Sequence, residues 1–265
     1  ALSVSLAALL SGVALALDLL QGSAAGDPYA APPGGGQGAD SFLAACDHGV
    51  AGLRVALCPA GWAEAPVSPT CLEGAEAAAS LLAAGGARVE IAAPALALEP
   101  LRQAMGTILQ ANLAAAFQRG GVAIEATQPL VREAASLGRE LSAAVYIDAV
   151  LRLQGTARAL GRFLADYDLW LAPTTAAPAP PVGAFALDGS DFDAYMDRFF
   201  AFSPYVMVCS AAGVPAASVP LHWPLPTQPV GVQLAAALGR EAPILAAAAF
   251  LETAQPWSGR YAATC

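Results

Sequence analysis

The sequence predicts an α/β fold in which helices flank a mixed β-sheet. Three observations carry this prediction. A strand, a helix and a second strand follow one another between residues 52 and 92, joined by short loops. An apolar run at 166–171 comes directly after a long helical region, and two apolar runs at 215–220 and 230–234 are joined by a turn. A strand–helix–strand unit favours parallel pairing, whereas a turn between strands favours antiparallel pairing, so the sheet is mixed.

The elements of the N-terminal part follow from apolar periodicity and from the residues that interrupt it. In chain order they are a helix that ends at Gly22-Ser23, a Pro/Gly-rich loop at 31–38, a strand at 52–59, a helix at 70–84 and a strand at 87–92. The opening stretch carries no charge as far as Leu17, so we predict that the first helix is buried. Ser68 and Thr70 offer N-caps for the second helix, and Glu73 stands at capping-box spacing from Thr70.

The C-terminal part alternates long helical regions with short apolar strands. Its elements are a helix at 99–118, a helical region at 128–165 with a break near Gly138, a strand at 166–171, a loop at 174–183, a helix at 191–201, strands at 215–220 and 230–234, and a helix at 241–254. The loop at 174–183 contains too many prolines for a helix or a central strand, so it lies at the surface or lines a pocket. Ser190 is the expected N-cap of the helix that follows.

Composition excludes several classes of protein. Of the 265 residues, 57% are hydrophobic and 12% are charged, and this combination excludes a disordered chain. The net charge is -9 and the 12 basic residues are scattered, so no basic stripe is available for nucleic acid. All 12 basic residues are Arg, so the sequence contains no Lys that could act as an amine base or form a Schiff base.

The cysteines and the opening stretch argue against a secreted or membrane protein. The five Cys are odd in number and contain no CxxC pair, and two His are too few to complete a zinc set. We therefore expect reduced thiols, no metal and a cytoplasmic location. The opening stretch lacks an initiating Met and a basic region, and Asp18 interrupts it before the roughly 20 apolar residues of a membrane span. A membrane-anchored binding protein is accordingly the least favoured of three hypotheses.

No set of polar residues assembles an active site from the sequence alone. The chain contains no G-x-S-x-G motif, so the usual sequence signal of an α/β-hydrolase is missing. The string Cys46-Asp47-His48 lies in a Gly-containing loop, and His222 lies in a Pro-rich segment. We interpret both histidines as loop or surface residues. Asp166 and Asp168 flank the start of a strand, and we interpret them as a solvated rim, that is, as carboxylates exposed to water at the end of the strand.

Residues 167–257 carry motifs that resemble those of the amidase signature family. In chain order the motifs are DLWLAPT at Asp168–Thr174, PAASVP at Pro215–Pro220, PVGVQL at Pro229–Leu234, and QPW at Gln255–Trp257 after Glu252. Gly138–Phe163 is similar to the helix pair that precedes the first motif, and Leu17–Tyr29 is similar to an upstream junction. Among the bacterial members of the family, this sequence most resembles the aryl-acylamidase and cyclic-dimer amide hydrolase types. The resemblance implies that residues 1–265 form the C-terminal portion of a single amidase-signature domain.

The resemblance implies hydrolysis of an amide C–N bond by a Ser nucleophile, a second Ser in a cis peptide and a Lys, without metal or cofactor. The family's Gly-Gly-Ser-Ser stretch and its Lys have no counterpart here, so no catalytic residue is transferred and we expect the isolated chain to be inactive. The resemblance does place residues at the substrate pocket, namely Thr174, Thr175, Phe202, Ser203 and Cys209. Ser218 does not match the nucleophile and is interpreted as a packing residue.

The substrate class also follows from the resemblance. Glutamine-specific relatives carry an Asp near the place of Ser203, so Ser203 implies a neutral or apolar amide substrate. The sequence departs from the family pattern at Ser210, His222, Thr227 and Gln228. Gly is the usual family residue at the positions of His222 and Thr227, and the loss of a Gly from a turn indicates either an altered loop or relaxed selection.

Two function hypotheses therefore stay open. The leading one is the substrate-pocket half of an amide hydrolase that acts on a small molecule. The alternative is a non-catalytic remnant or interaction subunit that retains the amidase sheet. Half of such a sheet would leave an open edge and exposed apolar helix faces, so we expect either a complementary N-terminal amidase half or self-association.

Overall fold

The computed structural model describes residues 10–26, 41–63, 65–120, 123–226 and 228–261. The strands of the described part are β1 (Arg54–Leu57), β2 (Arg88–Ile91), β3 (Leu169–Pro173), β4 (Ala216–Leu225) and β5 (Gln228–Ala235). The helices are α1 (Leu10–Leu20), α2 (Phe42–Ala45), α3 (Pro69–Ala84), α4 (Leu98–Arg119), α5 (Pro129–Arg139), α6 (Ala143–Phe163), α7 (Phe192–Phe202), α8 (Pro204–Ala212), α9 (Glu241–Ala254) and α10 (Ser258–Tyr261), with a 3-10 turn at Ile124–Ala126.

The strands form one mixed sheet in the order β2-β1-β3-β5-β4. β1 pairs in parallel with β2 and with β3, so that Val55 lies between Val89 and Leu169. β5 pairs antiparallel with β3 on one side and with β4 on the other. The predicted α/β class with a mixed sheet is thus confirmed, because the β1–α3–β2 unit is parallel and the β4–β5 hairpin is antiparallel.

Two apolar layers cover the sheet, one on each face. Because side chains alternate along a strand, Leu169 and Leu171 of β3 point to one face and Trp170 to the other. The first face packs with Leu82 of α3 and Leu251 of α9. The second face packs with residues of α4, α6, α7 and α8. β3 is therefore buried at every position, as expected for a central strand covered on both sides.

The first helix ends where the sequence predicts, but the prediction that it is buried is wrong within the described residues. Only Ala14 of α1 is fully buried, whereas Leu15, Leu19 and Leu20 are exposed. α1 packs on one side only, in a small cluster with residues of α2 and α9. The predicted loop at 31–38 and Thr227 lie outside the described residues.

The predicted capping box at Thr70 and the predicted cap at Ser190 are wrong, and three short helices, α2, α8 and α10, are missed. Ser68 is the N-cap residue of α3, as predicted, although its side chain makes no capping hydrogen bond. Because α3 begins at Pro69, Thr70 lies inside the helix and the capping box does not form. Proline is favoured at the first helical position because the N–H that it lacks would have no hydrogen-bond partner within the helix there. α7 is capped by Asp191, whose side chain accepts from the Ala194 amide, and not by Ser190. The short apolar helix α8 lacks a polar face, so its periodicity gave no signal.

None of the helices in the described ranges combines the length and apolar character of a membrane span. The described cysteines Cys46, Cys58, Cys71 and Cys209 are free thiols. Cys265 lies outside the described residues.

Candidate functional site

The end of β3 brings together residues from three neighbouring strands. Thr174 follows the strand directly, and its amide donates to the Gly231 carbonyl oxygen of β5 at 3.0 Å. Its hydroxyl oxygen lies 2.6 Å from the hydroxyl oxygen of Ser218 on β4. β3, β5 and β4 thus contribute Thr174, Gly231 and Ser218 to one point, which we call the hydroxyl site.

Gly231 is the residue that permits the two hydroxyls to meet. A Cβ at this position would lie 2.6 Å from Ser218 Oγ and 2.7 Å from Thr174 Oγ1. Thr174 is half-buried, whereas Ser218 is exposed. The interpretation of Ser218 as a packing residue is therefore wrong. The alternation of side chains along β4 indicates this position: Val219 points into the core, so the adjacent Ser218 points to the opposite face.

The loop after β3 is anchored along its length. The Thr175 hydroxyl donates to the Ala177 carbonyl at 2.7 Å, which is a short turn within the loop. The Ala176 amide donates to the Phe202 carbonyl at 2.7 Å, and the Ala176 carbonyl accepts from the Ser68 amide at 2.7 Å. The start of the loop is thereby fixed to the end of α7 and to the start of α3.

Phe202 belongs to a half-buried aromatic cluster beside this loop. The Phe185 ring centroid lies 5.3 Å from that of Phe202, 5.8 Å from that of Phe199 and 6.2 Å from that of Tyr195. All four rings are partly open to solvent. The cluster gives the loop an apolar and aromatic neighbour.

Ser203 is buried and its polar groups serve the end of α7. Its hydroxyl donates to the Phe199 carbonyl at 2.8 Å, and its amide donates to the same oxygen at 3.0 Å. Pro204 then starts α8 at its first position. Ser203 therefore fixes the corner between α7, which ends at Phe202, and α8.

Cys209 lies on α8 beneath the same sheet face. Its sulfur accepts a hydrogen bond from the Gln233 side-chain amide at 3.4 Å, and both residues are buried. Burial raises the pKa of the Cys209 thiol to about 12, while the bond from Gln233 acts in the opposite direction. Gln233 pairs in register with Ala172 of β3 and with Ser218 of β4, so Cys209 contacts the strand residue that lies opposite Ser218.

An aromatic wall continues from Cys209 toward β1. The Trp62 ring stacks on the Tyr205 ring at 5.7 Å and meets the Trp170 ring edge-on at 5.1 Å. Burial raises the pKa of the Tyr205 phenol above its ordinary value. The nearby sulfurs of Cys58 and Cys71 raise this pKa further, but by less than burial does. Sequence reasoning missed Trp62 and Gln233. The signal for Gln233 was a polar residue within the apolar run predicted at 230–234.

The histidines and acidic residues weighed in the sequence lie apart from the hydroxyl site. His48 is exposed, and His222 Nε2 lies 3.7 Å from a Glu73 carboxylate oxygen. The interpretation of Asp168 as a solvated rim is wrong. Its carboxylate accepts from the Arg54 amide at 2.9 Å and pairs with Arg240 at 2.9 Å, so it fixes the start of the parallel pair.

The structure thus brings Thr174, Thr175, Phe202 and Ser203 together around the loop after β3 and places Cys209 behind them. This arrangement groups hydroxyl groups, backbone carbonyls and aromatic carbon at one end of the sheet. Across the described ranges, no three His, Cys, Asp or Glu side chains are grouped to hold a metal ion.

Comparison with known proteins gives a consistent family match. The sequence model of the Amidase family matches residues 5–245. The 6-aminohexanoate-cyclic-dimer hydrolase of Paenarthrobacter ureafaciens is 29% identical over 266 aligned positions, which cover 94% of this chain and 52% of that protein. The acylamidase of Rhodococcus erythropolis is 34% identical over 102 residues, which cover 37% of this chain and 20% of that protein.

Solved structures support the same fold. A structure of 6-aminohexanoate cyclic dimer hydrolase superposes with a TM-score of 0.83 at 25% identity, covering 94% of this chain and 54% of that chain. A bacterial aryl acylamidase of the amidase signature family shares the fold with a TM-score of 0.73 at 19% identity. The chain spans about half the length of the hydrolase that it matches along most of its sequence.

Proposed function

The chain belongs to the amidase family, and we propose that it forms the substrate-pocket portion of an enzyme that hydrolyses an amide C–N bond in a small molecule. One observation carries this proposal. Three of the four motifs that resemble those of the family contribute one residue each, Thr174, Ser218 and Gly231, to a single point at the end of β3. Separate motifs that meet at a loop on a rigid sheet are typical of a binding site.

We propose that Thr174, Thr175 and Phe202 contact the substrate, and that Ser203 and Cys209 support them. The first three are partly open to solvent and share one loop anchor. Ser203 and Cys209 are buried, with their polar atoms used inside the fold. Ser218 would then position the Thr174 hydroxyl through the hydrogen bond between them.

The proposed substrate is a neutral amide with an apolar acyl group. The aromatic cluster around Phe202 supports this choice, because its half-buried rings offer apolar contact area beside the loop. Ser203 supports it as well, since no charged group stands at that position to recognise an amino-acid-like substrate.

The nucleophile and the base would come from another portion of the amidase fold. The sequence holds no Lys and no Gly-Gly-Ser-Ser stretch, and we assign no catalytic residue to it. In the proposed reaction a Ser of that portion attacks the amide carbonyl, the proton passes to the leaving amine, and water then releases the acid. The role of this chain is to hold the acyl group in line for the attack. No cofactor enters the scheme, and the free thiols support a cytoplasmic location.

A chimera tests the proposal. The portion of the Paenarthrobacter hydrolase outside the match is fused in front of this chain, and kcat/KM is measured for a hexanoyl anilide and a glutamyl anilide. We expect turnover with preference for the hexanoyl anilide, and a loss of about tenfold or more for Phe202→Asp. The exposed change Leu238→Asp is the control. A folded chimera without turnover would favour the alternative, a non-catalytic subunit.

A further inference from the structure

The loop after β3 leaves the fold and returns to it at the same place. The Ala176 amide donates to the Phe202 carbonyl at 2.7 Å. Further along the chain, the centroid of the Phe185 ring lies 5.3 Å from that of the Phe202 ring. The segment between these two anchors, which we call the 177–184 loop, therefore has both of its ends at Phe202. Surface loops whose ends lie close together are frequently functional.

The 177–184 loop has few hydrogen-bond donors of its own. Pro178, Pro180 and Pro181 lack a backbone N–H. The Ala184 amide donates to the Pro181 carbonyl at 3.1 Å and so serves a turn within the loop. Carbonyl groups thus outnumber N–H groups in this segment. A hydrogen bond that ties its tip to the rest of the fold therefore needs a donor from another element.

Gln228 supplies such a donor from the first residue of β5. Its side-chain Nε2 donates to the Ala179 carbonyl oxygen at 3.2 Å. In the described part of the chain, this is the one hydrogen bond that joins residues 178–183 to another element. The Gln228 backbone is fixed, because it pairs in register with Leu225 across the β4–β5 hairpin. Ala179 and Val182 are exposed, so packing contributes little to holding the tip of the loop.

The same strand also holds the start of the segment. The Thr174 amide donates to the Gly231 carbonyl of β5 at 3.0 Å. The Thr175 hydroxyl, which comes next, donates to the Ala177 carbonyl at 2.7 Å. β5 thus restrains the chain on both sides of Thr175, through Gly231 before it and through Gln228 after it. A displacement of the loop would move the acceptor that orients the Thr175 hydroxyl.

We propose that Gln228 is a positioning residue of the substrate pocket. Its side chain holds the 177–184 loop against the start of β5 and thereby keeps Thr175 and Phe202 in place for the substrate. This inference rests on the proposed function, which assigns substrate contacts to Thr175 and Phe202. Because the sequence departs from the family pattern at Gln228, the resemblance by itself does not predict this contact.

Hydrogen exchange of the purified chain tests the restraint without an enzymatic assay. Gln228→Glu keeps the shape of the side chain but presents a carboxylate that cannot donate at neutral pH, and Gln228→Leu removes the polar group. Loss of one ordinary hydrogen bond favours opening by about three- to tenfold, so exchange in the 177–184 loop should be faster by that factor in both variants. Gln103→Leu is the matched control, because it removes the bond from an exposed glutamine amide to Glu99 on α4 and should leave this loop unchanged.

Kinetics of the chimera with the hydrolase portion test the link to the substrate. Both Gln228 variants should raise KM for the hexanoyl anilide by about three- to tenfold, because a loop that is in place for only part of the time lowers the apparent affinity by that fraction. The value of kcat should stay within about twofold of the parent value, since the reacting groups are untouched. A purely structural role would instead lower the amount of folded enzyme and leave KM unchanged.

The two measurements separate the restraint from the proposed function. Unchanged exchange in both Gln228 variants would overturn the proposal. So would faster exchange together with an unchanged KM in an active chimera. Faster exchange beside a folded chimera without turnover would support the restraint on the loop and refute the proposed function.

Discussion

Gly231→Ala is the sharpest test of the hydroxyl site. The added methyl carbon would stand 2.6 Å from Ser218 Oγ, 2.7 Å from Thr174 Oγ1 and 3.0 Å from Thr174 Cβ. In the parent chain the two oxygens are 2.6 Å apart, so moving both of them away from the new methyl group would break their hydrogen bond. Thr174 has little freedom to move, because its amide donates to Gly231 itself.

The expected cost has three parts. Loss of the hydrogen bond between the hydroxyls destabilises the fold by about 1 kcal/mol. Insertion of a methyl group into a filled site adds about 1–3 kcal/mol. The lower entropy of the unfolded chain that contains Ala offsets about 0.5–1 kcal/mol. The net loss is about 2 kcal/mol, which lowers the melting temperature of a chain of this size by roughly 6 °C.

Denaturant titration and thermal melting of the purified chain measure this loss. The double variant Ser218→Ala, Gly231→Ala should recover part of the stability, because the nearest clashing atom is gone. Gly155→Ala is the control, since a Cβ there meets nothing within 4 Å and the helix interior favours Ala. If Gly231→Ala melted at the parent temperature or above it, the three strands would not meet as described.

Three further predictions concern the rest of the fold. Gly138→Ala should destabilise the chain by about 3 kcal/mol or more, because a Cβ there would overlap the backbone carbonyl of Gln110 where α5 crosses α4, and urea midpoints measure it. Asp168→Ala should cost about 1–3 kcal/mol by leaving the Arg54 amide without its acceptor, whereas Arg240→Ala should cost less because its side chain is 51% exposed; equal losses would contradict this assignment. Burial raises the pKa of Cys58 and Cys209 to about 12 and that of Cys71 to about 11, so the folded chain favours the protonated thiols and its unfolding free energy should fall as the pH rises above 9. Alkylation of these thiols at pH 8 should follow unfolding, and rapid labelling of the native chain would contradict their burial.

The sheet could be predicted because its signals are local. β1 and β3 are short apolar runs that end at proline, and the length of the segment between β1 and β2 requires a crossover helix. The burial of α1 could not be predicted, because composition reports how apolar a helix is but not how many neighbours the fold supplies. The same limit explains α8, where a uniformly apolar segment carries no periodicity.

The candidate site was predicted through the resemblance and not through chemistry. Thr174 and Phe202 were named through the resemblance, and in the structure the amide of Ala176, two residues after Thr174, donates to the Phe202 carbonyl. The partnership of Thr174 with Ser218 joins positions 44 residues apart, so only the strand register could reveal it. Asp168 was misjudged for the same reason, since its partner Arg240 is 72 residues away.

We propose that this chain supplies the substrate pocket and that another portion of the amidase fold supplies the nucleophile and the base. The decisive measurement is the initial rate of hexanoyl anilide hydrolysis, for the purified chain alone and for its complex with the unmatched portion of the Paenarthrobacter hydrolase. We predict no rate above the uncatalysed background for the chain alone and measurable turnover for the complex. Turnover by the chain alone that is abolished by Ser218→Ala or by substitution of His48 or His222 would contradict the claim.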